Sequence, residues 1–199
     1  MTNLRQAQKQ MTRQLLLENG LECMMENGYA TTSVDRIARA AGTTRATFYL
    51  HFSSKAELVR SLVEHANKVF VSADRPPLDE VVASNDREII RTWIARKFYQ
   101  WAQLKAHLVV IHQAASVEPE IQAMLDGWFD TAIGQMQSGL DRTARFEADS
   151  RRIRSSLAFG QLEFFSMRWI RLGWVVSEQV ALETMADSWC QLLCDHAES

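Results

Sequence analysis

The sequence predicts an all-α protein with an N-terminal three-helix domain and a larger C-terminal helical bundle, and three observations support this fold class. Apolar residues recur at three- and four-residue spacings along most of the 199 residues, as on one face of a helix. No segment shows the strict alternation of apolar and polar residues that is typical of strands. The double proline Pro76-Pro77 cannot continue a helix, and it therefore predicts a domain boundary.

Composition limits the class of protein. Apolar residues make up 47% and charged residues 23% of the chain, which is typical of a globular protein with a core. There is no apolar run of about 18 residues, so neither a membrane span nor a signal peptide is expected, and we predict a cytoplasmic protein. Three cysteines without a metal-type spacing, Cys23, Cys190 and Cys194, predict no structural disulfide.

The charge is unevenly distributed along the chain. Residues 1–60 contain eight Lys or Arg and five acidic residues, a net +3, whereas the remainder carries −5, which gives the overall −2. A basic N-terminal part can approach phosphates while the acidic part stays away from them. The small excess predicts a few phosphate contacts.

The first expected element is a helix from Leu4 to Asn27, which Gly28 ends because glycine tolerates a positive φ. Arg5, Lys9 and Arg13 lie near one side of its start, where they either approach phosphates or simply face water. Its apolar positions are Met11, Leu15, Leu16, Gly20, Cys23 and Met24.

A short second helix is expected after Thr32 and Ser33, because apolar residues follow at helical spacing and Asp35 stands three residues after Thr32, as a capping box allows. Gly42 ends this helix, and Thr43 or Thr44 can cap the next. The apolar positions of the pair are Val34, Ile37, Ala38, Ala41, Ala46, Phe48, Tyr49 and Phe52.

Two short helices about a glycine turn are typical of a helix-turn-helix, whose second helix lays its N-terminal residues against base edges in the major groove. The predicted base-reading residues are Thr43, Thr44, Arg45 and Thr47, of which Arg45 can make a bidentate contact to guanine O6 and N7. The alternative is an ordinary corner between two helices with polar residues facing water. Tyr49, His51 and Lys55 follow on the flanks, where phosphate contacts are expected.

These residues resemble the DNA-binding domain of TetR-type (tetracycline-repressor-like) transcriptional regulators over about Arg13 to Val63. The matching positions are Gly28-Tyr29, Thr31-Thr32, Ile37-Ala38, Ala40-Ala41-Gly42, Thr47-Phe48-Tyr49, His51-Phe52 and Ser54-Lys55. The chain departs from the family at Ala46, where Gly is usual, at Thr43, where Val is usual, and at Asn19-Gly20, where Ala-Ala is usual. The resemblance implies double-stranded operator DNA as the partner, with Thr32 joining Tyr49, His51 and Lys55 as phosphate contacts.

The predicted domains are a helix-turn-helix DNA-binding domain over 1–53, a connecting helix over 54–75 and an effector-binding and dimerisation domain over 76–199. The connecting helix begins with the capping box of Ser54 and Glu57. In the C-terminal part, Asn85 and Glu88 are expected to cap a helix that continues to Ala115. Further helices are expected from Pro119, from Asp149 to Leu172 and from Ser177.

The last two helices carry apolar residues on more than one side, which predicts a partner surface. Small residues would let helices approach closely, and the family resemblance implies that these two helices of each subunit form a four-helix contact. The predicted homodimer interface consists of Ser156, Gly160, Trp189 and Leu193.

All six tryptophans lie in the C-terminal part, beside several Phe and Met residues, which is compatible with an adaptable apolar cavity or with a plain core. The resemblance implies a small hydrophobic effector held between these helices, with Gln161, Glu163, His107 or His112 as polar anchors. The predicted pocket residues are Trp93, Phe98, Trp101, Met124, Trp128, Gln161, Phe164 and Phe165.

The expected function is that of a repressor released from its operator by the effector. One alternative is the same dimer without an effector. Another is a small helical enzyme using His51 or the pair His107 and His112, which no phosphate loop, nucleophile motif or carboxylate cluster accompanies. The five-residue separation of that pair puts the imidazoles on different helix faces, so together with Glu118 they do not predict a metal site, and no cofactor is expected.

Overall fold

The computed structural model describes residues 2–72, 74–173 and 176–195, which excludes Trp174. The regular structure of these residues is entirely helical, which confirms the all-α prediction. The helices are α1 (Thr2–Asn27), α2 (Val34–Ala40), α3 (Arg45–Tyr49), α4 (Lys55–Ser72), α5 (Leu78–Ala83), α6 (Arg87–Ala115), α7 (Pro119–Arg142), α8 (Ala148–Leu172) and α9 (Glu178–Leu193).

The described residues form two compact units. Unit 1 contains the chain up to Lys68 together with Leu104–Leu125, and unit 2 contains Val69–Gln103 and the chain from Asp126 onward. Helices α4, α6 and α7 each contribute residues to both units. Unit 1 thus includes a middle segment that the sequence analysis assigned to the C-terminal domain.

The core of unit 1 holds α1, α2, α3 and the start of α4 together through large side chains that are fully buried. A Cβ built on Gly20 of α1 would lie 2.9 Å from Leu58 Cδ1 and 3.5 Å from Ile37 Cγ2, so the absence of a side chain there lets three helices meet. This contact explains the departure from the family at Gly20. The fully buried side chains include Leu16, Met24, Ile37, Phe48, Phe52 and Leu58.

Two caps fix the short helices. Ser33, one of the two expected residues, is the N-cap of α2, and its side chain accepts the backbone N–H of Arg36. Thr44 is the N-cap of α3, and its hydroxyl accepts the N–H of Thr47 at 3.1 Å. Between them Gly42 has φ +67, a left-handed conformation that glycine adopts without strain.

The core of unit 2 is rich in aromatic rings from α6, α8 and α9. The ring centroids of Phe98 and Trp101 lie 4.7 Å apart, and those of Trp93 and Trp189 5.5 Å apart. Ion pairs from Arg87 to Glu183 at 2.8 Å and to Asp187 at 2.6 Å also join α6 to α9. As predicted, Ser177 caps α9 by accepting the N–H of Val180, and Gly173 ends α8 with φ +70.

The cap of α6 differs from the prediction. Asp86, not Asn85, accepts the N–H groups of Glu88 and Ile89, at 2.7 and 3.1 Å. Asn85 has φ 56, and its side-chain oxygen instead accepts hydrogen bonds from Arg145 and from the backbone of Asp195. Helix α5, which begins directly after Pro77, was not predicted.

Candidate nucleic-acid interface

Helix α3 has a buried side and an exposed side. Phe48 is fully buried, and its ring centroid lies 5.6 Å from that of Phe52, which fixes the helix on the core of unit 1. On the other side Thr44 and Arg45 are exposed, and Thr43 and Thr47 are half-buried. The structure thus brings the four predicted base-reading residues together at the start of one helix.

Arg45 is held in place by two neighbouring side chains. Its Nη1 donates to Asp35 Oδ2 at 3.2 Å, and its guanidinium lies 5.6 Å from the centroid of the Tyr49 ring. The negative charge of Asp35 raises the pKa of Arg45, which keeps the guanidinium protonated. The side chains of Arg45 and Asp35 remain 62% and 50% exposed, so this pair faces solvent.

The hydroxyl groups of Thr44 and Thr47 lie 3.0 Å apart on the exposed side. The Thr44 hydroxyl also accepts the N–H of Thr47 as the cap. The bond between the two hydroxyls uses one of their two protons, so the other proton can be donated outward. The two threonines thus present a donor and an acceptor beside Arg45.

Thr32 does not occupy the position expected of a phosphate contact. Thr32 is 2% exposed, and its hydroxyl lies 2.8 Å from the Gly28 carbonyl oxygen and 3.1 Å from that of Cys23, so its one proton is donated to these carbonyls. The hydroxyl is therefore used inside unit 1, where it fastens the turn after α1. We assign Thr32 a structural role and withdraw it as a phosphate contact.

The Lys55 side chain binds the same turn. Its ammonium donates to the carbonyls of Tyr29 and Thr32, the latter at 3.0 Å, and lies 4.0 Å from the centroid of the Tyr29 ring. Burial lowers the pKa of Lys55, and the nearby Glu118 partly offsets this effect. Two of its three N–H groups serve the protein, so at most one is left for a phosphate.

A shallow cleft lies between the start of α1 and the end of α3. Its volume is about 310 Å³, and Lys9 and His51 supply its titratable groups. The buried Nδ1 of His51 has no hydrogen-bond partner among the described residues. Burial lowers the pKa of His51, and the positive charges of Lys9 and Arg13 lower it further. The cleft is lined by Gln8, Lys9, Thr12, Leu50 and His51.

Tyr29 connects the turn after α1 to the last turn of α6 and to the segment that follows it, within unit 1. Its backbone N–H donates to Gln113 Oε1 at 2.8 Å, and its hydroxyl donates to Glu118 Oε1 at 2.7 Å. Burial and the Glu118 carboxylate both raise the pKa of the Tyr29 hydroxyl, so it stays protonated and remains a donor. The sequence could not reveal this network, because its partners lie more than 80 residues apart.

Two of the four predicted dimer residues face the interior of unit 2. Trp189 and Leu193 have no exposed surface, and Trp189 packs against Trp93, so they cannot contact a second chain in this conformation. Ser156 and Gly160 of α8 are half-buried, and a Cβ on Gly160 would meet nothing within 4 Å. We therefore withdraw Trp189 and Leu193 from the predicted interface.

Two of the predicted pocket residues face outward instead. Phe164 of α8 is 65% exposed, and Gln161 is exposed and accepts a hydrogen bond from Ser188 at 3.0 Å. In this conformation neither side chain is enclosed as a pocket lining would be. Phe164 shares the outer side of α8 with other exposed apolar residues, Ile153 and Leu157.

The other predicted pocket residues divide between the units. Met124 belongs to unit 1, and the rest belong to unit 2. Phe98 stacks on Trp101 and also on Phe165, with centroids 6.0 Å apart in the second pair. Trp128 is half-buried, with its ring 5.3 Å from that of Phe70.

Three buried polar groups of α6 accompany these rings in unit 2, and the sequence analysis did not single out two of them. Lys97 donates to the Phe70 carbonyl at 2.9 Å and to Asp74, and burial lowers its pKa. Gln100 donates to the Val69 carbonyl at 2.9 Å, but its own Oε1 has no partner among the described residues. The same is true of Trp93 Nε1.

Neither a metal cluster nor a membrane-crossing helix is found within the described ranges. No three His, Cys, Asp or Glu side chains among these residues are grouped so that they could hold a metal ion, and no helix is both long and apolar enough to span a bilayer. His107 stacks on His65 with centroids 5.1 Å apart. The cysteines Cys23, Cys190 and Cys194 are free thiols.

Comparison with known proteins identifies the N-terminal part of unit 1. The family model described as bacterial regulatory proteins of the tetR family matches residues 16–62, which include the second part of α1, all of α2 and α3, and the start of α4. Residues 16–62 thus form a TetR-family domain. The chain is 20% identical over 161 residues to the fatty acid metabolism regulator protein of Bacillus subtilis (strain 168), a match covering 78% of this chain and 81% of that protein.

Two solved structures resemble the fold over nearly the whole chain. NalD, the secondary repressor of the MexAB-OprM multidrug efflux pump in Pseudomonas aeruginosa, has a TM-score of 0.74 at 20% identity and covers 96% of this chain and 99% of its own. A SmeT–triclosan complex has a TM-score of 0.72 at 19% identity and covers 94% and 93%. At such identities the likeness concerns the fold alone.

Relatives with higher sequence identity match shorter stretches of the chain. Relatives that are 34–40% identical match over 55–70 residues, and this chain covers only 26–42% of their length. The matched relatives are named as transcriptional regulators and repressors. The chain thus carries the helix-turn-helix of TetR-family transcriptional regulators, and its effector and partners are matters for proposal.

Proposed function

We propose that this TetR-family regulator is a repressor that binds a palindromic operator as a homodimer and is released by a small hydrophobic effector. The observation that carries the DNA-binding part is the accessible surface at the start of α3, which presents Arg45, Thr44 and Thr47, while Phe48 of the same helix is buried. A short helix fixed by its apolar side and carrying donors on its free side suits the major groove.

Phosphate contacts in this proposal come from residues that flank α3. Tyr49 is 45% exposed, and Lys9 and His51 share the cleft beside it. A phosphate in this cleft would meet the Lys9 ammonium and an imidazole that accepts a proton when an anion arrives. Lys55 contributes at most its one remaining N–H.

The experiment for the DNA-binding part measures the affinity of the protein for a duplex selected from a random pool and for its single-base variants. Arg45→Ala is expected to lose about 1 to 3 kcal/mol of discrimination at a guanine. The matched control is Arg171→Ala, which removes an exposed arginine from the last turn of α8. If Arg45→Ala keeps the native sequence preference, Arg45 does not read bases.

The proposed dimer places the outer side of α8 against a second copy of the chain. Ile153, Leu157 and Phe164 are 61%, 54% and 65% exposed, and Val180 at the start of α9 is 56% exposed. Covering such side chains with a second copy removes apolar surface from water, which favours association. A two-fold pair also presents two α3 helices to successive major grooves, about 34 Å apart.

The proposed effector binds among the aromatic rings of unit 2. SmeT, a protein of similar fold, has been solved with triclosan, an observation that concerns SmeT itself. In this chain Gln100 Oε1 and Trp93 Nε1 are buried without partners among the described residues. We therefore infer an apolar molecule that carries at least one polar group for these atoms.

Release requires that the effector bind the DNA-incompetent conformation more tightly than the competent one. A coupling of about 1 to 3 kcal/mol would lower operator affinity roughly 5- to 150-fold. Thermal shift against a library of hydrophobic compounds finds binders, and operator binding in their presence identifies effectors. If no compound raises the melting temperature, the alternative of a dimer without a small-molecule effector is favoured.

A further inference from the structure

Asp35 is the residue whose position calls for an explanation beyond the proposed contacts. It lies in the first turn of α2, and its carboxylate accepts a hydrogen bond from Arg45, ten residues later on α3. The ion pair thus joins the two helices of the helix-turn-helix on their exposed side. Neither the family resemblance nor the base-reading pattern assigned a role to Asp35.

Fold stability does not account for this pair. Both side chains are at least half exposed, and exposed ion pairs contribute little to stability. The cap of α2 is supplied by Ser33, so the carboxylate of Asp35 is not needed for that purpose. The pairing therefore matters for where it holds the Arg45 guanidinium.

The geometry leaves Arg45 able to read a base while it is held. Its Nη1 donates one hydrogen to Asp35, and its Nη2 lies 3.5 Å from the Tyr49 hydroxyl. A guanidinium has five N–H donors, and these two contacts leave three. A bidentate contact to guanine O6 and N7 needs two.

The carboxylate also changes which DNA groups attract Arg45. An unrestrained arginine near a duplex is drawn most strongly to the charged phosphates, whose contacts carry no sequence information. Beside Asp35 the pair is locally neutral, which weakens this attraction. The neutral acceptor groups of a guanine can then compete for the guanidinium.

We propose that Asp35 is a specificity-determining positioning residue, which holds Arg45 for a guanine in the major groove and keeps it from the phosphates. This inference rests on the proposed reading of the operator by α3. Asp35 acts only through Arg45. Removal of its carboxylate should lower the discrimination at the guanine and raise the affinity for unrelated DNA.

The test compares the native protein with Asp35→Asn, which is nearly isosteric and removes the charge. Each is titrated with a selected operator, with the operator altered at the guanine that depends on Arg45, and with unrelated duplex, over a range of salt concentrations. Asp35→Asn should lose at least about fivefold in discrimination at that guanine and bind unrelated duplex more tightly. Its salt dependence should steepen by about one unit of slope per α3 helix, because Arg45 now reaches a phosphate.

Two further variants separate positioning from a simple charge effect. In an Arg45→Ala background, Asp35→Asn should change neither discrimination at this base nor the salt slope. Asp35→Glu keeps the charge but displaces the carboxylate, and it should also reduce discrimination. Thermal melting confirms that each variant is folded before its DNA binding is compared.

The outcomes distinguish this inference from the proposed function. If the native protein selects no sequence, both fail. If Arg45→Ala loses discrimination as expected but Asp35→Asn raises affinity equally for all duplexes and keeps discrimination, only the role of Asp35 is overturned. The role of Asp35 would also be overturned if the Asp35→Glu variant and the Asp35→Asn variant both discriminated at this guanine as well as the native protein does.

Discussion

At the residue scale, Thr32 shows that a residue typical of a DNA-binding domain can serve the fold of that domain instead of contacting DNA. The sequence places Thr32 just before α2, where a hydroxyl could reach a phosphate. The structure instead buries the side chain and uses its hydroxyl to satisfy carbonyls at the end of α1. A single-chain sequence cannot distinguish these uses, because both require the same small donor at the same position.

We expect Thr32→Val to destabilise the protein by about 0.5 to 1.5 kcal/mol, because the hydrogen bond that the buried hydroxyl donates is lost. Chemical denaturation measures the free energy of unfolding. The control is Thr184→Val, in which an exposed hydroxyl on α9 donates to the Val180 carbonyl, and it should change stability by less than about 0.5 kcal/mol. Equal stability of Thr32→Val and the native protein would contradict the structural role.

At the element scale, Gly139 and Gly20 mark places where helices approach each other closely. A Cβ on Gly139 of α7 would lie 2.5 Å from the Asp79 carbonyl oxygen of α5, a backbone atom that cannot easily move. A Cβ on Gly20 would instead meet the flexible end of Leu58 at 2.9 Å. A Cβ on Gly127 of α7 would meet nothing within 4 Å.

Three alanine substitutions should therefore differ in sign and size. Gly139→Ala is expected to be the most destabilising, and Gly20→Ala should cost about 1 to 3 kcal/mol through overpacking. Gly127→Ala should stabilise by about 0.5 to 1 kcal/mol, because alanine is the better helix former. Melting temperatures or denaturant midpoints establish the order, and a stabilising Gly139→Ala would show that α5 and α7 do not pack as described.

Helical periodicity predicted where the helices lie in the sequence better than it predicted which side of each helix faces the core. The stripes of α8 and α9 were correctly read as helices with apolar residues on more than one side. Periodicity alone cannot decide which stripe faces the core, and Trp189 faces inward because Trp93, almost 100 residues earlier, packs on it. Asn85 was misassigned for a similar reason, since its side chain binds Arg145, 60 residues away. Thr44, Ser33 and Ser177 were foreseeable because a cap depends on its next three residues.

At the scale of the whole molecule, two half-buried histidines of unit 1 connect stability to pH. Burial lowers the pKa of His107 and of His112, and the neighbouring His65 lowers that of His107 further. The unfolded chain therefore takes up protons first as the pH falls. Stability due to the neutral imidazoles is fully present above about pH 6.5 and is lost as the pH falls through the folded-state pKa values.

The melting temperature should accordingly fall between about pH 7.5 and pH 5.5. A double variant carrying His107→Gln and His112→Gln should show a smaller fall, since glutamine does not titrate. For each protein we compare its melting temperature at the two pH values, and then compare this difference between the native protein and the double variant. Any effect of the substitutions that does not depend on pH cancels. An identical pH dependence in both proteins would contradict the assignment to these two histidines.

Assembly is the second property of the whole molecule. Phe164→Glu should weaken the proposed homodimer, because it places a charge in the centre of a surface that the second chain covers. Tyr99→Glu is the matched control, since Tyr99 of α6 is also 65% exposed. Sedimentation should give twice the chain mass of 22.7 kDa for the native protein and the control, and a lower mass for Phe164→Glu. A native protein that sediments as a monomer would refute the dimer.

The central claim is that the exposed side of α3, presented twice, reads base edges. Selection of bound duplexes from a random pool by the full-length native protein tests this claim most directly. We predict enrichment of an inverted repeat whose half-site centres lie about one helical turn or a multiple of it apart, with a guanine that loses its enrichment when Arg45→Ala is used in the same selection. Enrichment of no sequence, or of the same sequence by both proteins, would contradict it.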